Sequence, residues 1–332
     1  MTNIQKVAKQ ANVSVATVSR VINQANNVAP KTRRKVEHAI QELKYVPNML
    51  ARNFRTSQSK SILVILTSIS NLFYMELVRG ISEYANNKGY DILLSETNGD
   101  PKKQIDCLEK VKNRITDGAI IIETTVFSNA LMTLEESNPI VQCCSHNDKV
   151  AMPYVRIDNV KGGYMAGKVL LDAGCRNLVM VGIQGSSQYN IERRQGFLKA
   201  AVEVGLQESD IYEINVVELS FQGGKQAAED ILLRKKTDGV FFVSDMLAIG
   251  AMQVFQKHGV RVPEDISIIG YDNLEICEMV TPTLSSIAQP AKKMGEEGAR
   301  LLIDRINNEE DINYKNVIFQ PELVLRNSVR KS

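Results

Sequence analysis

The 332-residue sequence predicts a small all-α head followed by an α/β body of two doubly wound parallel-sheet subdomains. Three observations lead there. Charge divides the chain: the first 60 residues hold eleven Lys and Arg against two acidic residues, and the rest holds 29 against 36, so a cationic module suited to a polyanion is joined to an acidic body. Up to residue 43 apolar side chains recur at helical spacing, whereas from residue 61 short apolar runs alternate with helix-period stretches. Finally, Thr116-Asp117-Gly118-Ala119-Ile120-Ile121-Ile122 is echoed by Thr237-Asp238-Gly239-Val240-Phe241-Phe242-Val243, the mark of two similar subdomains.

In the head, Ile4, Val7, Ala8 and Ala11 fall at i, i+3, i+4 and i+7, which predicts a short helix over 4–11. Asn12 then has to adopt left-handed backbone, which asparagine tolerates best after glycine, and Ser14 is placed to cap a second helix over 15–22. Pro30 suits the first position of a third helix running to about Tyr45, with Val36, Ala39, Ile40 and Leu43 on one face. Ala29 before it offers no side-chain acceptor, a missing cap worth about 1 kcal/mol. A unit this small has little core. Thr17, Ser19, Arg20 and Asn23 lie away from Val18 and Ile22 and offer donors and acceptors that match base edges and phosphates in a DNA major groove; a solvated polar face fits the same spacing.

In the body, strands are predicted at 62–66, 92–95, 119–122, 178–183, 214–219, 240–243 and 266–269. Helices are predicted at 73–88, 101–113, 127–136, 189–204, 223–234 and 245–258. Ligands of such sheets sit at the carboxyl ends of the strands, which selects Phe73, Asp158, Ser244, Asp245 and Asp272. Thr67-Ser68-Ile69-Ser70-Asn71-Leu72 follows the first strand in place of a glycine-rich phosphate loop, so no nucleotide or other cofactor is expected. The five cysteines lack metal-ligand spacing and are read as reduced, the adjacent Cys143 and Cys144 being badly placed for a disulfide. The three histidines are scattered, no nucleophile–base pair is evident, and an enzyme is disfavoured. The longest apolar run, 62–66, is far short of the roughly 18 residues that span a bilayer. Residues 1–25 lack the pattern of a signal peptide, so a cytoplasmic protein without membrane contact is expected.

Val13-Ser14-Val15-Ala16-Thr17-Val18-Ser19-Arg20-Val21-Ile22-Asn23 resembles the helix-turn-helix signature of the LacI/GalR family of lactose and purine repressors, and the likeness continues through Lys31-Thr32-Arg33 and Tyr45-Val46-Pro47-Asn48 to about Arg330. Asn12 and Ala29 depart from it, standing where the family usually has glycine and often has a capping serine. The resemblance implies that Val15 and Ala16 open the recognition helix at the positions that vary with operator sequence, and that Arg20 and Asn23 make the more constant contacts. Thr17, Ser19, Asn27 and Thr32 complete that set. It also implies that 47–60 is a hinge helix which orders on DNA, with Phe54, where leucine is common, as a minor-groove wedge and Arg52 and Arg55 against phosphates.

By the same resemblance, 1–46 is the DNA-binding domain and 61–332 an effector-binding and dimerising body of periplasmic-binding-protein type. Its N-subdomain spans about 61–158 and 289–319, and its C-subdomain about 159–288 and 320–332. Arg193-Arg194-Gln195-Gly196-Phe197 resembles the family's Arg-x-x-Gly-aromatic segment, which makes Arg193 the effector-binding arginine; Gly270-Tyr271-Asp272-Asn273 supplies the matching carboxylate. Arginine and aspartate together suit a polyol, with Phe73, Tyr74 or Phe221 against its apolar face. Ser187 and Tyr189 replace the arginine and threonine that the purine repressor uses near this segment, which disfavours a purine corepressor and leaves a sugar, sugar acid, sugar phosphate or nucleoside as the effector. The implied function is that of a homodimeric repressor on pseudo-palindromic operator DNA, controlled by a small carbohydrate-like effector. A catabolite-control regulator answering to a phosphorylated carrier protein shares this architecture, but Val46 stands where such regulators carry arginine.

Overall fold

The structure is a computed structural model that describes residues 3–22, 27–45, 58–124, 138–144, 152–185, 187–234, 236–307 and 316–331. The chain forms two compact units, Met1–Ser59 and Lys60–Ser332. Asn23, Arg52, Phe54, Arg55, nearly all of the predicted hinge and the helix predicted over 127–136 lie outside the described residues.

The head contains α1 (Ile4–Ala11), α2 (Val15–Ile22) and α3 (Pro30–Glu42) around Val7, Ala8, Ala11, Val18, Val21, Val36 and Ala39. Val21, rather than the predicted Ile22, joins Val18 in this core, and Ile22 is only half-buried against it. Asn12 has φ 52° and ψ 52°, and this left-handed residue ends α1. The Ser14 hydroxyl oxygen accepts from the Thr17 backbone N–H at 3.1 Å, which starts α2. Ala29 gives α3 no side-chain cap. That helix stops short of Tyr45 because Lys44 turns to φ 45° and the Tyr45 N–H folds back onto the Ile40 carbonyl at 3.0 Å.

The body opens with β1 (Ser61–Leu66), α4 (Leu72–Asn87), β2 (Asp91–Glu96), α5 (Pro101–Lys112), β3 (Gly118–Ile122), β4 (Ile140–Cys143) and β5 (Tyr154–Ile157). It continues with α6 (Asn159–Asp172), β6 (Leu178–Ile183), α7 (Gln188–Glu203), β7 (Tyr212–Val216), α8 (Phe221–Leu233), β8 (Gly239–Phe242), α9 (Asp245–Lys257), β9 (Ser267–Asp272) and β10 (Ser285–Ala288), and closes with α10 (Ala291–Ile306), β11 (Val317–Phe319) and β12 (Glu322–Val324). One sheet has the order β11-β5-β4-β3-β1-β2 and the other β12-β10-β9-β8-β6-β7. Every pairing is parallel except β10 with β12. The chain leaves the first sheet after β5, returns for β11 and ends in β12 of the second. The strand predicted at 214–219 lies earlier, at β7, because Ser220 caps α8 and the residues before it form the turn.

The repeat noticed in the sequence has a structural cause. β3 and β8 hold the same place in their sheets, beside β1 and β6. The aspartate two residues before the apolar run tethers the chain entering the neighbouring strand: Asp117 accepts from the Lys60 N–H at 2.9 Å, and Asp238 from the Asn177 N–H at 2.8 Å. Two copies of one βαβ design therefore keep the residue that sets their register.

Candidate functional site

A cleft of about 440 Å³, part of it open to solvent, lies at the carboxyl ends of the strands of both sheets. Phe73 and Tyr74 on the first turn of α4 and Glu123 after β3 line it from one side. From the other side come Asn159 at the start of α6, Tyr189 and Arg193 on α7, and Asp272 at the end of β9; Gln289 follows β10. This is where doubly wound sheets bind ligands, because the helix amino termini and strand ends converge there.

α7 shows why its sequence reads as it does. Arg193, Gly196 and Phe197 are spaced i, i+3, i+4 and so share one face. Phe197 is fully buried and stacks on Phe241 at 5.2 Å, anchoring the helix on the sheet. Gly196 lets the helix come so close to α6 that a Cβ there would collide with the Val160 carbonyl, and Gly163 on α6 lies equally close to the Arg193 carbonyl. The tight crossing carries Arg193 to the cleft, where it is 5% exposed. Its Nε donates to Asn159 Oδ1 at 3.0 Å, its Nη1 donates to the Val243 carbonyl at 2.6 Å, and the guanidinium lies 3.5 Å from the Tyr271 ring centroid. Asn159 in turn donates to Glu192, which pairs with Arg156 of β5 at 3.1 Å, so the arginine is tied to the first crossover between the sheets.

Asp272 sits in left-handed backbone, φ 114°, and accepts from Gln289 Nε2 at 2.7 Å. Burial, with the nearby Asp245 charge adding to it, pushes its pKa up to about 8 despite Arg193. Burial raises Asp245 to about 6. A carboxyl whose folded pKa exceeds its unfolded value of about 4 stabilises the fold fully below that value and loses the contribution as pH rises through the folded pKa. The ligand-free protein is therefore expected to lose stability between about pH 4 and 8, and Asp272→Asn to flatten the upper half of that fall; denaturant midpoints measured across this range check it.

Glu123 also has left-handed backbone, φ 65°. Its Oε2 accepts from the Tyr74 hydroxyl at 2.6 Å and from Thr67 at 3.3 Å, and its Oε1 from Ser187, across the cleft, at 3.3 Å. Burial and Glu123 together drive the Tyr74 pKa well above its ordinary value, so Tyr74 stays a neutral donor.

Of the predicted effector residues, Phe73, Tyr74, Arg193 and Asp272 meet in the cleft. Asp158, Phe221, Ser244 and Asp245 are outside its lining, which corrects their assignment as direct contacts. Asp158 caps α6 by accepting from the Lys161 N–H at 2.9 Å. Asp245 is wholly buried, accepting from the Leu274 N–H and Ser286. Ser244 precedes α9 and bonds to Asp272, and Phe221 packs, partly buried, against the apolar residues around β6, β8 and β9. Glu123, Asn159 and Gln289 were not selected; Glu123 and Gln289 each follow a strand end, the signal that could have found them.

In the head, Val15, Ala16 and Arg20 are exposed on α2, Thr17 and Ser19 are half-buried, Asn27 is exposed, and Thr32 is half-buried in the first turn of α3.

Residues 3–48 match the family described as bacterial regulatory proteins, lacI family, and residues 168–329 match the periplasmic binding protein-like domain. The HTH-type transcriptional regulator DegA of Bacillus subtilis (strain 168) is 36% identical over 98% of this chain and 98% of its own. The chain belongs to the LacI family. Among solved structures, the lac repressor dimer bound to operator and the anti-inducer ONPF is 25% identical with a TM-score of 0.88, covering 99% of both chains. A LacI-family regulator from Enterococcus faecium with bound ribose is 29% identical with a TM-score of 0.75, covering 81% of this chain and 98% of that one. The LacI-family chain described here is thus a DNA-binding transcriptional regulator and not an enzyme. Among the described residues no helix is long and apolar enough to cross a membrane, and no group of potential ligands could hold a metal ion.

Proposed function

We propose that this regulator is a cytoplasmic repressor that binds a pseudo-palindromic operator as a homodimer, with an affinity set by a carbohydrate-like molecule in the cleft. The lining carries this reading. Arg193, Asp272 and Glu123 face a cavity whose other polar groups are amides, hydroxyls and the Cys144 thiol, with Phe73 and Tyr74 as aromatic walls, the complement that orients a ring of alternating hydroxyls and C–H faces. The ribose-bound relative agrees with it.

Two copies are required because one recognition helix reads few base pairs. The edge strand β2 exposes Leu93 and Leu94, one on each face of the sheet, apolar edge surface that a second copy would cover. Val15 and Ala16 would meet thymine methyls, and Arg20 a base edge or phosphate. Arg20→Ala is expected to weaken operator binding by about 10- to 100-fold and leave ligand binding unchanged. Titration of labelled duplexes checks this, and an equal loss on random DNA would deny Arg20 a base-specific role. The predicted wedge, Phe54, belongs to the same reading.

The experiment that tests the whole reading is selection of bound duplexes from a random pool with and without sugars. A two-fold symmetric site whose recovery shifts with one sugar is expected. Recovery that ignores every sugar but responds to a phosphorylated carrier protein would replace the effector half of the proposal.

A further inference from the structure

The cleft already holds the negative charge it can accommodate. Helix amino termini attract anions because their first N–H groups are unpaired and their dipoles point positive end outward, and several of them converge here. Three have a carboxyl group of the chain at or beside them, the one at α6 belonging to Asp158, outside the cleft lining. Asp158 caps α6 through the Lys161 N–H. Asp272 bonds to Ser244, the residue preceding α9. Glu123 reaches across the cleft to Ser187, the residue preceding α7. Glu123 and Asp272 thus stand beside the amino termini that open on the cleft, so an anionic ligand group approaching either terminus meets a carboxyl group of the chain.

The single guanidinium in the lining does not offset this. Two of the three Arg193 nitrogens are directed to Asn159 and Val243, and its face is covered by Tyr271. Among the described lining residues no lysine or second arginine stands beside it. Glu123 is the least replaceable of the three acids in this respect. It belongs to the opposite subdomain from α7, has Tyr74 and Thr67 bonded to one oxygen, and keeps left-handed backbone that points to a position under functional constraint.

We propose that Glu123 is the specificity-determining residue of the cleft and that it selects an effector without negative charge, a neutral or aminated polyhydroxylated ring, rejecting sugar phosphates and sugar acids. Hydroxyl or ammonium hydrogens of such a ring donate to the Glu123 and Asp272 oxygens; a phosphate or carboxylate beside Glu123 faces like charge with water excluded. The inference rests on the effector reading of the cleft.

Matched pairs test it on the full-length protein: ribose with ribose 5-phosphate, glucose with glucose 6-phosphate and gluconate, cellobiose with cellobionate, and adenosine with its monophosphate. Thermal stabilisation finds the pair that binds, and calorimetry gives both affinities. The uncharged member is expected to bind about 100-fold or more tightly than its anionic counterpart, and Glu123→Gln to narrow that ratio about ten-fold, since like charges in contact weaken association by such factors. Glu123→Ala serves where the glutamine variant does not fold. Equal or tighter binding of an anionic member overturns the inference while leaving the effector reading intact, as does a ratio unchanged in a folded variant. Silence across the panel, in protein that still binds its selected duplex, overturns both.

Discussion

An Arg193→Ala variant is expected to bind its effector about 100-fold more weakly than wild type, because a hydrogen bond from a charged group is worth about 1.5–3 kcal/mol and its loss also leaves the Asn159 and Val243 oxygens short of a donor. The argument begins with placement. Arg193 is held on three sides, by Asn159, by the Val243 carbonyl and by the Tyr271 ring, so its remaining guanidinium edge enters the cleft in one orientation. Pre-organisation of this kind raises affinity, since little rotamer freedom is lost on binding. Arg193→Lys is expected to fail as a rescue. An ammonium cannot stack on Tyr271 while donating to both Asn159 and Val243. Ligand-induced shifts in thermal midpoint read the effect, and the ligand-free midpoint of each variant separates a lost contact from a lost fold. An alanine variant that responds to effector as wild type does would remove Arg193 from the site.

The same residue links binding to regulation. A ligand shifts a conformational equilibrium only by the difference between its affinities for the two states. Arg193 belongs to the second sheet's side of the cleft, yet through Asn159 and Glu192 it is bonded to Arg156 on β5 of the first sheet. The Arg156 and Glu192 side chains are only 18% and 10% exposed, so this pair is held in a setting where a change of geometry is felt strongly. Any closure of one sheet upon the other must reorganise these bonds together with the ligand's own contacts.

How much of this was legible from sequence depends on which physical signal each element left. The head helices were readable because a three-helix unit can bury only one face of each helix, and Asn12 and Ser14 announce the turn chemically. The first strands of each sheet were readable as apolar runs flanked on both sides by helix-period segments. β10 was not. Its Ser285 and Ser286 are fully buried, but they are satisfied by Ser328, Arg326, Asn273 and Asp245 from distant parts of the chain, and no local pattern announces such partners. α10 was obscured by Gly295, which serves a close approach to the Leu77 carbonyl on α4 rather than helix propensity.

The site divides in the same way. Phe73, Arg193 and Asp272 followed from strand ends and from the family resemblance. Glu123 was hidden although the internal repeat aligns it with Ser244, which the strand-end rule did select. The two copies diverge at this place in chemistry and in role: one residue lines the cleft and the other bonds to a residue that does.

Gly196→Ala is expected to destabilise the body by about 2–4 kcal/mol, a large effect for the addition of one methyl group. The new Cβ would meet the Val160 carbonyl oxygen and the Tyr164 backbone nitrogen, groups that belong to α6 itself and cannot swing aside as a side chain would. Relief requires α6 and α7 to separate along the crossing where Gly163 and Gly167 also lie against α7. Close-packed interiors do not absorb such a shift locally. Arg193 is one turn earlier on α7, so the displacement should also withdraw the guanidinium from the Val243 carbonyl and weaken effector binding beyond the loss of stability. Gln195→Ala, one residue away on the exposed face of the same helix, is expected to change stability by less than about 0.5 kcal/mol. Urea denaturation of the two variants beside wild type, followed by effector titration under conditions where both are folded, reads both effects. If Gly196→Ala unfolds at the wild-type midpoint, the helices have slack at the crossing, and close contact with α6 is not what positions Arg193.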